Sequence, residues 1–307
     1  MVAILNSLIP VFIVIAMGFA MKRYGFPGEA IWEPLDQLNY YVLFPALLTH
    51  TLAVADLASF DVWPMAGALA AGLMSMVVLL MVVQRFAPVS GSEFSSIFQG
   101  AVRWNSYVAL AAIAALYGRE GVTLAAVSFA VLVPLANVMS VTVLTRYAQG
   151  ISPTPMTLLK LLGKNPLILA CAAGIFLNVS GIGLPGPLAV TAKIIGDASL
   201  TLGLVAVGGG LRIGHVFEAK GTVIYTSALK LILMPAMMMG FCLLFGVTGL
   251  PRLVVLICGA VPGATSSYVL ARQLGGHMEL MASLITGGTI LAVITMPLML
   301  WIFGQVA

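Results

Sequence analysis

The chain has very little charge. Its 307 residues include 10 Asp+Glu and 14 Lys+Arg, 8% in all, against 61% apolar residues and a mean hydropathy of +1.11. Soluble domains carry about 25% charged residues, so a water-solvated globule is excluded. The net charge of +4 is spread along the chain and leaves no basic patch for nucleic acid. Cysteine is scarce as well. Cys171, Cys242 and Cys258 lie in apolar stretches without CxxC spacing, so no disulfide framework or zinc site is expected. They read as small core hydrophobes. Intramembrane catalytic sets are also missing, with no HExxH and no paired aspartates in apolar runs, so the chain is not expected to be an enzyme. His50, His215 and His277 are scattered and suggest no metal ligation, and nothing points to a cofactor.

What is present is a series of apolar runs punctuated by charges and Pro/Gly clusters. A spanning helix needs about 20 apolar residues, and the sequence predicts an all-α polytopic membrane protein with about ten transmembrane helices. The predicted spans are 2–21, 35–55, 62–84, 94–117, 121–146, 165–180, 185–211, 221–246, 251–272 and 278–303. Lys22 and Arg23 follow the first run and no basic residue precedes it. That is the reverse of a cleavable signal, so it reads as a span. Loops after odd-numbered spans hold Lys22, Arg23, Arg85, Arg146, Lys160, Lys164, Arg212, Lys220 and Arg272, whereas the other side holds Arg119 and Arg252. The positive-inside rule places the odd loops in the cytoplasm and both termini outside. The expected location is the plasma (inner) membrane of a bacterial-type cell.

The longest polar connection falls mid-chain and divides it into residues 1–147, a cytoplasmic linker at 148–164, and residues 165–307. With five spans on each side, the second half is inverted relative to the first. Gly100-Ala101-Val102 followed by Ser106-Tyr107-Val108 recurs as Gly259-Ala260-Val261 followed by Ser267-Tyr268-Val269, and Pro134-Leu135 recurs as Pro297-Leu298. Inverted repeats belong to secondary transporters, whose sites lie near the midplane on broken helices.

Spans 4 and 9 are therefore the predicted broken, crossing helices. In span 9, Pro262 removes a backbone donor and Gly263 weakens the helix. Thr265, Ser266, Ser267 and Tyr268 follow. The freed amides and half-helix N-termini offer partial positive charge to an anion. A simple proline kink is the plainer reading. In span 4, Arg103-Trp104-Asn105-Ser106 sits near the centre with no acid within helical reach. Arginine at that depth costs roughly 2.5–3.5 kcal/mol on insertion scales and faces a cavity or partner, unless it snorkels to an interface. Lys193 and Asp197 lie one turn apart in span 7, either as a coupling pair for H+ or Na+ or as a neutralised structural pair. Lys230 either snorkels or lines a vestibule. Asn137, beside Pro134 in span 5, reads as hydrogen-bonding glue or as support for the crossing.

These motifs resemble the auxin efflux carrier (PIN-like) family, specifically its bacterial organic-anion transporter branch. The matching stretches are Val42 to Leu48, Arg103-Trp104-Asn105, Val133 to Val138, Lys164 to Leu169, Gly208 to Leu211, and Pro262 to Tyr268. The resemblance implies two inverted five-helix repeats, a scaffold and a transport part, and a substrate held where helices 4 and 9 cross. Relatives of this kind are assigned malonate, malate or other small carboxylates. Where family members often carry proline in span 7, this chain has Thr201-Leu202-Gly203-Leu204, which implies a straighter helix. Span 9 has no acid beside its break, so a sodium site of the bile-acid-symporter type is not expected.

The expected function is thus alternating-access transport of a small carboxylate. Arg103, Asn105, Ser106, Pro262, Gly263, Thr265, Ser266, Ser267 and Tyr268 would form the site, with Asp197 and Lys193 in coupling. An anion channel and a substrate-binding membrane sensor are the alternatives. The expected partners are the substrate, the lipid bilayer and, compatibly with this architecture, a second copy in a homodimer.

Overall fold

In a bilayer every backbone amide and carbonyl must be satisfied within the protein, which leaves helices or closed barrels. The computed structural model describes residues 1–56, 60–86, 89–214 and 216–304. Its secondary structure is helical among the described residues. His215 lies outside them. Helix α1 spans Val2–Arg23, and α2 (Trp32–Leu38) and α3 (Phe44–Ala53) are joined by the π-helical turn Asn39–Leu43. Then come α4 (Val62–Phe86), α5 (Gly91–Val102), α6 (Ser106–Val143), α7 (Pro155–Gly163), α8 (Pro166–Val179) and α9 (Gly186–Gly209). Next are α10 (Lys220–Ala228) and α11 (Met234–Leu244), joined by a second π-helical segment, Leu229–Leu233. The chain ends in α12 (Gly249–Ala260), α13 (Ser266–Leu274) and α14 (Met278–Gly304).

Length and hydropathy identify six membrane-spanning helical runs among the described residues, or seven if α7 and α8, bent by 67°, count as one. The Gly91–Ala148 run takes in expected spans 4 and 5, and the Lys220–Leu244 run is expected span 8. Spans 2 and 8 carry a π turn just before Phe44-Pro45 and Met234-Pro235. Proline lacks an N–H and its ring crowds the carbonyl four residues back, so a widened turn relieves the clash. Spans 4 and 9 are split outright. The loop expected between spans 4 and 5 shrinks to a kink, because helical structure continues through 117–121 except at Gly118 (φ 58, ψ −144). A left-handed φ favours glycine. As the missing proline implied, α9 runs unbroken from Gly186 to Gly209.

Hydrophobicity gives little drive for helices to associate in lipid, so close approach decides their packing. On one side α1 and α3 lie against α9, and α3 also packs on α8. Gly208 meets the Ile15 carbonyl and Gly18 meets Val205, so neither position has room for a Cβ. On the other side α11 packs against α4 and α12, while α14 contacts α5, α10 and α12. Gly259 of α12 lies against Pro235 in the same manner. Helix α6 runs between the two groups and touches both.

Candidate functional site

Both broken helices end alike. Helix α5 starts at a Ser90–Glu93 capping box and stops at Val102, after which Arg103 is extended (φ −81, ψ 143). Helix α12 stops at Ala260, and Val261 is extended (φ −74, ψ 154). The chain resumes helix at Ser106 and at Ser266. The two breaks touch. The Asn105 backbone N–H donates to the Pro262 carbonyl at 2.8 Å, and the Arg103 guanidinium donates through Nη2 to Ser266 Oγ at 3.0 Å.

The two half-helix N-termini differ. That of α6 is closed by its own residue, because Asn105 Oδ1 accepts from the amides of Tyr107 and Val108 at 3.1 and 3.2 Å. Asn105 is therefore a cap first, and its Nδ2 is left buried without a hydrogen-bond partner among the described residues. The N-terminus of α13 has no side-chain cap. Arg103 thus stands at the positive end of a helix dipole, where a cation is disfavoured. An anion between the guanidinium and that helix end would be attracted by both.

The other expected residues divide. Ser106, Thr265, Ser266 and Tyr268 are half-buried around the crossing, while Pro262 and Gly263 are buried in it. Ser267 is fully buried, with its hydroxyl unpartnered among the described residues. Tyr268 lies under the Arg212 guanidinium, 5.1 Å from its ring centre. Arg212 is held by its backbone N–H donating to Thr286 Oγ1 at 2.9 Å. On α6, Pro134 lies within the helix, and the half-buried Asn137 makes no hydrogen bond among the described residues.

Lys193 and Asp197 do pair, Nζ to Oδ2 at 2.6 Å, but both side chains are about 60% exposed (61% and 58%). They lie on an open face of α9, within electrostatic reach of His50, which also senses Arg119. The π turn at Asn39–Leu43 adds residues that the sequence did not single out. Tyr40 couples electrostatically to Arg103, and Asp36 to Tyr40 and Tyr107. Asn39 and Tyr107 close on Gly203, which has no room for a side chain. The available signal was Pro45, whose ring widens the turn before it.

Residues 151–300 match the family model described as a membrane transport protein. Over 95% of its length the chain is similar, at 22% identity, to an uncharacterized transporter of Methanothermobacter thermautotrophicus, of which it covers 96%. A stretch of 61 residues, 20% of this chain, is 41% identical to the ileal sodium/bile acid cotransporter of Oryctolagus cuniculus and 43% identical to that of Cricetulus griseus. It covers 18% of each. These matches, with the apolar helices, support an integral membrane transporter. The matched names are those of transporters, not enzymes.

Proposed function

We propose that the protein is a secondary transporter that carries a small organic anion, such as malonate or malate, by alternating access. The observation that supports this reading is the Arg103 guanidinium at the uncapped N-terminus of α13, inside the contact between two helix breaks. Two positive centres without an acid between them suit a carboxylate, and guanidinium matches its geometry through two parallel hydrogen bonds. Asn105 Nδ2, Thr265 and Ser266 would complete the shell, and Tyr40 would shape its near side. The grouping of α1, α3, α8 and α9, which meets the second group through α6 and an α1–α14 contact, suits a scaffold and a moving part. The like-ended breaks suit two inverted repeats, at 1–147 and 165–307, joined by the 148–164 linker.

Lys193 and Asp197 would couple transport to an ion gradient, H+ or Na+. An ion pair exposed near the middle of a spanning helix needs shielding from lipid, which water in an extracytoplasmic opening or a second copy in a homodimer would supply. The bacterial inner membrane, with both termini extracytoplasmic, belongs to the same proposal. The test is thermal unfolding of the purified protein with small carboxylates. A ligand that binds the native state raises stability by about 2.7 kcal/mol at a hundred times its Kd. Malonate or malate is expected to raise the midpoint, and no shift with any carboxylate would contradict the reading.

A further inference from the structure

Lys230 is a buried charge that the crossing does not explain. It lies eleven residues into the Lys220–Leu244 run. At 1.5 Å per residue that is roughly half of a 30 Å hydrocarbon core, too deep for its stem to reach either surface. Its side chain is 3% exposed and has no hydrogen-bond or ion-pair partner among the described residues. An ammonium has three donors and no acceptor, and burying it unpaired costs several kcal/mol.

Lys230 faces a small polar cavity. The walls include Thr226, Ser227, Lys230 and Leu231 from the α10–α11 run, with residues of α5, of the span 9 break and of α14. The Thr226 hydroxyl is buried and has no hydrogen-bond partner among the described residues. Thr226 and Lys230 therefore line one space, beside residues that precede Arg103 and Ser266 by three positions each. The cavity volume is about 10 Å³, close to the least that holds one water. Gly100 keeps it open, since a Cβ there would lie 3.0 Å from Thr226 Cγ2 and 3.2 Å from Leu284 Cδ1. The elements packed on this segment are α5, α10, α11, α12 and α14. Their acids, Glu93 and Glu279, lie in the first turns of α5 and α14, and the titratable group coupled to Lys230 is the Cys258 thiol.

We infer that Lys230, with the hydroxyls of Thr226 and Ser227, forms a second anion subsite beside the crossing, separate from Arg103. Its size suits a single anionic atom, either a halide ion or one oxygen of the transported molecule's second carboxylate. The second source rests on the transport reading above; the halide does not.

Bromide and chloride are the probes for the first source, and malonate against acetate for the second. Exchanging gluconate for chloride is expected to raise the unfolding midpoint of the wild type, and bromide to give an anomalous diffraction peak in the cavity. Lys230→Met and Gly100→Ala, the latter filling the space without touching the lysine, should each abolish the chloride shift. If the second carboxylate is the occupant, the wild type should bind malonate at least tenfold more tightly than acetate, and Lys230→Met should erase that ratio. A buried charge replaced by an apolar side chain of similar volume is often tolerated, and the bromide experiment needs no variant. No bromide peak or chloride shift, together with an unchanged malonate-to-acetate ratio in Lys230→Met, would overturn the subsite. Loss of malonate binding with the halide site intact would instead count against the transport reading alone.

Discussion

Arg103→Ala should abolish carboxylate binding while the protein still folds. The guanidinium donates to Ser266 Oγ and stands at the α13 N-terminus, where the dipole opposes it. Removing it takes away a half-buried cation and strands no acid, so the variant should unfold at or near the wild-type temperature. Binding is different. Hydrogen bonds to charged groups contribute about 1.5–3 kcal/mol each, so losing a bidentate pair should weaken a carboxylate roughly a hundredfold or more. Arg103→Lys keeps the charge but not the planar fork and should lose about tenfold. Calorimetric titration of the three proteins with malonate reads both steps. Wild-type affinity in Arg103→Ala would remove this residue from the site.

Asp197→Asn should separate exchange from gradient-driven uptake. The pair with Lys193 is short but exposed on α9, two turns from Gly203, where that helix packs on Asn39 and Tyr107. If the carboxylate takes up and releases H+ or Na+ during transport, asparagine leaves Lys193 with a fixed positive charge. Ion-driven accumulation should then fall tenfold or more, while exchange of labelled for unlabelled substrate persists. A purely structural pair predicts lower stability instead, because one uncompensated charge remains in the membrane. Folded Asp197→Asn protein with undiminished gradient-driven uptake would exclude this residue from coupling.

The residues that break a helix or cost energy in lipid were the legible ones. Pro262 and Gly263 marked one break, and Arg103 with Asn105 marked the other; the crossing hydrogen bond from Asn105 to Pro262 joins those two marks. The polytopic all-α architecture followed from composition, since lipid leaves a chain of this hydropathy few other folds. What escaped depended on which helix lies beside which. Asn39 and Tyr40 look like ordinary residues of an apolar run, and only the π turn and the approach of α9 bring them to the site. Lys230 was equally ambiguous, because depth along a helix is readable from spacing but the neighbours that enclose its side chain are not. Asn105 lies at the expected break, and its Oδ1 caps α6, a use for which asparagine before a helix start is well suited. Gly118 shows the converse error: polar residues at 119–120 suggested a loop, where one left-handed glycine bends a continuing helix.

The central claim, carriage of a small anion through the crossing, is tested most directly by counterflow. Purified protein in liposomes loaded with unlabelled malonate should transiently accumulate external labelled malonate above its equilibrium level, and Arg103→Ala liposomes should not. A passive anion conductance without counterflow, or malonate binding without any flux, would contradict the account.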